Sequence, residues 1–173
     1  MNPVLRKISL LAFVLAFVCC AASANAQNNR GPSTPEERKR AVEMATFLEK
    51  NPLAKEAKDF RAALLVFLTQ APDITIKLCT DALGPIKRLK GDYEAELVGQ
   101  LAYSQAKFAI ENPDKAKDDA AVYLAGVEGV LRTWQAIKSA KPKAKFELME
   151  ELLQKQQAGT LAEYVRDTTK SCK

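Results

Sequence analysis

The chain has 173 residues, 47% of them apolar and 7% aromatic, a composition of globular rather than disordered or collagen-like proteins. It contains no histidine, which excludes zinc or haem held through His, Ser-His-Asp or Cys-His catalysis, and a histidine pH switch. Lys and Arg number 26 against 21 Asp and Glu, a formal net charge of +5.

Residues 1–26 read as a secretory signal peptide. Arg6 and Lys7 precede an apolar run from Ile8 to Cys20, and Ala24-Asn25-Ala26 closes a small-residue segment, the three parts such a peptide needs. The run is too short for the roughly 20 residues of a spanning helix. Cleavage is expected after Ala26, giving a periplasmic or extracellular protein. A lipoprotein anchor at Cys19 or Cys20 fits less well, because Ala16 or Phe17 stands where a Leu is wanted three residues earlier. Cleavage removes Arg6 and Lys7 from the formal +5, leaving +3, too mild a charge to argue for nucleic acid. No Asn-x-Ser/Thr acceptor occurs, which favours a bacterial envelope over a eukaryotic secretory route.

Residues 27–33 are expected to be a flexible lead-in and 34–173 a single helical domain. Thr34-Pro35-Glu36-Glu37 carries a capping box with proline in the first helical turn, and Ala41, Met44, Ala45 and Leu48 follow at helical spacing. Asn51-Pro52 stops this helix and starts a second, running to about Gln70. Its stripe is Leu53, Ala57, Phe60, Leu64 and Phe67, but Ala62–Leu68 is apolar all round. That pattern places the second helix at the centre of the domain.

A third helix is expected from Ala71-Pro72-Asp73 to Leu83, on the shared face of Ile76, Cys79, Ala82 and Leu83. The alternation Ile74-Thr75-Ile76 also fits a strand, but no partner strand is visible. Gly91-Asp92 opens a fourth helix with the face Leu97, Leu101, Gln105 and Phe108. The fifth spans Pro113 to about Ala140, with Tyr123, Val127, Leu131, Trp134 and Ile137 on one side. Gly126 and Gly129 either admit another backbone or break this helix. Lys141-Pro142 starts a sixth, with Phe146, Met149, Leu152 and Leu153 inward. Gly159-Thr160 starts a seventh, where Thr160 and Glu163 form a second capping box and Leu161, Tyr164, Val165, Thr168 and Cys172 share a face.

The fold class is therefore all-α: six to seven antiparallel helices packed as stacked helical hairpins, a compact bundle or short solenoid-like array. Ala45-x-Phe47 before Asn51-Pro52 is echoed 61 positions later by Ala106-x-Phe108 before Asn112-Pro113, a pattern that a duplicated hairpin would produce.

With the signal removed, Cys79 and Cys172 remain, an even pair on an oxidising route, and a structural disulfide is expected. Two basic loops stand out, one with Lys87, Arg88 and Lys90, the other with Lys138, Lys141, Lys143 and Lys145. If they meet, they form an anion-collecting surface for lipid head groups, polyanionic glycans or an acidic partner. Solvated loops near helix ends are the plainer account. Gln105, Tyr123 and Trp134 are candidate pocket residues, and Tyr93 a further aromatic anchor; satisfied core polar groups and core filler are the alternatives. Asp114, Asp118 and Asp119 complement a helix N-terminus and lack the pattern of a calcium loop.

No catalytic, cofactor-binding or metal-binding motif appears, so no enzyme activity and no cofactor are assigned. The expected role is non-catalytic protein interaction or scaffolding, with another cell-envelope protein as partner. The alternative is a helical carrier of an apolar or amphipathic small molecule such as a lipid.

Overall fold

The computed structural model describes residues 30–172; the expected signal peptide and its cleavage point lie outside the described residues. Those residues form six α-helices and no strand. The helices are α1 (Pro35–Lys50), α2 (Ala57–Gln70), α3 (Glu94–Glu111), α4 (Asp119–Ala140), α5 (Glu147–Gln157) and α6 (Leu161–Thr168). Single 3-10 turns sit at Thr80–Ala82, Ile86–Arg88, Pro113–Lys115 and Thr169–Ser171.

The first capping box forms as expected. Glu37 N donates to Thr34 Oγ1 at 3.2 Å and Thr34 N to Glu37 Oε2 at 2.8 Å, which satisfies two otherwise orphan amides. The Asn-Pro echo acquires a local cause. Asn51 donates both its amide N–H and its side-chain Nδ2 to the Phe47 carbonyl, at 2.7 and 3.4 Å. Asn112 does the same to Phe108, at 2.9 and 3.0 Å. Each pair is one helix-stop device, with the following proline unable to continue the helix.

The centre of the fold is α3 against α4. Leu97, Leu101, Val127, Val130, Leu131, Trp134, Ile137, Met149 and Leu152 make the larger apolar cluster. A smaller one joins Ala41, Ala45 and Leu48 of α1 to Ala57, Leu64 and Phe67 of α2, with Tyr103 reaching in from α3. Gly126 and Gly129 do not break α4, which is continuous. A Cβ at Gly126 would lie 2.7 Å from Gln105 Cγ, and one at Gly129 would overlap the Ser104 side chain. The two glycines are what let α3 and α4 approach.

Five expectations are corrected. The second helix is peripheral, not central: Ala57, Leu64 and Phe67 are buried, but Ala62, Ala63, Leu65 and Val66 are exposed. It also begins at Ala57, after a turn over 52–56, rather than at Leu53. The third helix does not form. Asp73 instead turns its carboxylate to the start of α1, accepting from Ser33 N and Oγ at 2.7 Å each and from Arg38 at 2.5 Å, and only Thr80–Ala82 coils. The sixth helix starts at Glu147, because Lys141–Phe146 is engaged elsewhere (below). The second capping box is absent: the Thr160 hydroxyl donates to the Lys155 carbonyl at 3.4 Å, and Thr160 is not extended (φ −101°, ψ 1°) as a box requires.

Candidate functional site

The two basic loops meet. Asp92 N donates to the Lys145 carbonyl at 2.9 Å, and Lys145 N donates back to Asp92 Oδ2 at 2.8 Å. Beside them the backbone of Gly91 lies so close to the Phe146 ring that a Cβ would overlap it. Phe146 is buried and packs edge-to-face on Trp134, centroids 6.2 Å apart, which anchors the second loop to the larger core. Beside this junction lies an open cleft of about 430 Å³ lined by Asp92, Tyr93, Lys141, Lys143 and Ala144. Tyr93 stands there half-buried, with a left-handed backbone (φ 62°) at the N-cap of α3.

Not every expected cation is free. Arg88 is ion-paired with Glu151, which raises the guanidinium pKa through the hydrogen bond and the charge. Lys138 Nζ donates to the carbonyls of Pro142 at 3.1 Å and Ala144 at 3.0 Å. It thereby closes the loop that bears the other lysines and lies 5.8 Å from the centre of the Trp134 ring. The ammonium groups of Lys87, Lys90, Lys141, Lys143 and Lys145 carry no hydrogen bond or ion pair among the described residues, and all five side chains are exposed.

The candidate pocket residues separate. Tyr123 lines a surface cleft of about 200 Å³ with Thr75, Lys77, Asp119 and Val122. Lys77 Nζ bonds Asp119 Oδ2 at 2.6 Å, and that bond and charge raise the ammonium pKa, holding Lys77 in the form that is neither nucleophile nor base. Trp134 is fully buried and donates Nε1–H to Glu150 at 3.1 Å. Gln105 of α3 is fully buried against Gly126 of α4, and neither of its side-chain polar atoms has a partner among the described residues; it lines neither cleft. Of the acidic set, Asp118 caps α4 through Ala121 N at 3.2 Å, Asp119 holds Lys77, and Asp114 sits in the preceding 3-10 turn. Cys79 and Cys172 are joined as a disulfide, Cα atoms 6.0 Å apart.

Sequence reasoning missed a buried polar network at the meeting of α1, α3 and α4. Glu49, 3% exposed, accepts from Ser104 Oγ at 2.9 Å, Arg132 Nε and Nη2 at 2.8 and 3.1 Å, and Lys107 Nζ at 3.3 Å. Gln100 Nε2 donates to Ser104 Oγ at 3.0 Å. Burial pushes the Glu49 carboxyl up, but the Arg132 hydrogen bonds and charge, Lys107 and Ser104 together bring it below its ordinary value. The available signal was a glutamate one helical turn past Ala45 on the apolar face of α1, facing Gly129. Among the described residues no helix is long and apolar enough to cross a membrane. In comparisons with known proteins, no family model, no curated protein and no solved structure matches this chain.

Proposed function

We propose that the chain is an exported, non-catalytic helical protein of the bacterial envelope that works by holding another protein, its helices stacked as antiparallel hairpins. Support for the hairpins is that sequence neighbours also pack together. This holds for α1 with α2, α3 with α4 and α5 with α6, across short links at 51–56, 112–118 and 158–160. Support for export is the N-terminal pattern together with a bridged cysteine pair.

The observation that carries the binding role is the outer face of α2. Ala62, Leu65, Val66 and Thr69 recur at i, i+3, i+4 and i+7 on exposed positions, with Leu65 57% and Val66 50% exposed. Such a stripe matches the seam into which an amphipathic helix packs, so the partner is taken to present a helix. The carrier alternative draws on this same apolar run and the aromatics near it, and the exposure of Leu65 and Val66 leaves it less support than the binding role.

A photo-crosslinker at position 65 tests the reading in native envelope extract. One discrete adduct is expected, lost in Leu65→Asp/Val66→Asp while the helical circular dichroism stays unchanged. An adduct with a second copy of the chain would make the partner itself. An adduct insensitive to the double substitution, or none, would sink the reading, and lipid in the native mass spectrum would restore the carrier.

A further inference from the structure

The joined basic loops carry a feature that charge alone does not explain. Ile86 is 72% exposed, more than any other large apolar side chain among the described residues. It sits at the start of the 3-10 turn Ile86–Arg88, after the exposed Pro85 and directly before Lys87. The facing loop has a similar tip, the exposed Lys141-Pro142-Lys143. Both tips are held on one scaffold by the reciprocal Asp92–Lys145 bonds and by Phe146 on Trp134. Of the acids at this end, Asp92 accepts from Lys145 N and Glu151 is paired with Arg88. In the first turns of α3 and α5, Glu150 is taken up by Trp134 and Lys138, which leaves Glu94, Glu96 and Glu147 against the five unengaged ammonium groups.

From this we infer that this end of the molecule docks on an anionic phospholipid bilayer. Lysines near such a surface are drawn to it by its negative potential, and an apolar side chain among them gains by entering the headgroup boundary. A soluble polyanion would use the lysines but leave Ile86 in water. The cleft at the second tip, with Lys141 and Lys143 on its wall beside Asp92 and Tyr93, has the charge to receive a phosphate headgroup. Contact is at the membrane surface, by side chains of preformed loops. It uses none of the residues of the α2 stripe, so either assignment can fail without the other.

The test is flotation with vesicles of phosphatidylcholine alone or mixed with phosphatidylglycerol. The protein is used as recovered from an expressing bacterium, with all variants prepared alike so that the N terminus is common to them. Binding is expected only to the mixed vesicles, and to weaken with salt. Lys141→Gln/Lys143→Gln should lower the partition coefficient about twenty-five-fold, at about fivefold for each lysine removed. Ile86→Ser should lower it severalfold at unchanged charge, while Lys50→Gln/Lys55→Gln, outside both loops, should leave it within about twofold. Equal binding by the wild type and the Lys141/Lys143 variant overturns the proposal, as does absence of binding to mixed vesicles. Lysine dependence without Ile86 dependence overturns the bilayer in favour of a soluble polyanion or acidic protein.

Discussion

Gln105 and Glu49 are both buried polar side chains near the α3–α4 contact, and their energetics run in opposite directions. Among the described residues Gln105 has no partner for either polar atom, so it bears a desolvation cost of about 1–3 kcal/mol. Gln105→Met keeps the shape and removes the polar atoms; it should raise stability by about 1–2 kcal/mol in urea unfolding. Glu49 is held by Arg132, Lys107 and Ser104. Arg132→Ala leaves that carboxylate buried with less compensation, a loss of about 2–3 kcal/mol, because Arg132 is itself partly solvated. Glu49→Gln should cost less, since both cations it abandons can hydrate. The reverse order in paired unfolding curves would show that the network is not what holds α1. Gly129→Ala gains about 1 kcal/mol of helix propensity, yet its methyl would overlap Ser104. Close packing decides the sign, and a net loss of about 1–3 kcal/mol is expected.

At the scale of elements, periodicity was informative where one face of a helix is apolar, and silent where several are. The apolar faces of α1, α3 and α4 are read from Ala41, Leu97 and Val127 and their repeats, and these residues are buried. In α2 the run Ala62–Leu68 offers several equivalent faces, and only neighbouring elements decide that Leu64 and Phe67 turn inward. The stretch from Ala71 to Leu83 defeated the pattern for another reason. Its carboxylate and its cysteine bond to distant partners, Ser33 and Cys172, and a local window cannot register bonds 40 and 93 positions long. Of the candidate site, the lysines were legible as loop charges, but their juxtaposition depends on the Asp92–Lys145 pairing, and the Glu49 network on a glycine in another helix. The disulfide has its own consequence. Closing a loop across 93 positions restricts the unfolded chain by up to about 4–5 kcal/mol in the chain-entropy model. Reductant should therefore lower the thermal midpoint by several degrees or more, with 71–91 and the end of α6 losing amide protection first. An unchanged midpoint in reductant would mean that the bridge constrains nothing.

For the whole molecule, the ionisable ties are unevenly placed, and pH exposes this. At the start of α1, hydrogen bonds from the Ser33 amide and hydroxyl, with Arg38, hold the Asp73 carboxyl well below the usual carboxylate range. At its last turn Glu49 is also lowered, by Arg132, Lys107 and Ser104 against the cost of burial. A carboxylate whose folded pKa lies below its unfolded one stabilises the fold above the unfolded value, near 4 for Asp and Glu. That stabilisation is lost as the pH falls towards the folded value. Both ties hold α1: Asp73 through 71–79, Glu49 through α3 and α4. The larger cluster around Trp134 is apolar, and the carboxyls lowered beside it, Glu151 by Arg88 and Asp167 by Lys170, sit in exposed pairs that contribute little to stability. Acidification from about pH 5 downward should therefore loosen α1, and with it α2 and the smaller cluster, before the Trp134 core opens. Hydrogen exchange at pH 3.5 and pH 7, read at the amides of Leu48 and Trp134, separates the two, with protection falling first at Leu48. In Asp73→Asn/Glu49→Gln the pH dependence of that loss should flatten while the neutral-pH stability drops. If Leu48 and Trp134 lose protection together in the wild type, the molecule opens as one cooperative unit and the carboxylates do not set its acid limit.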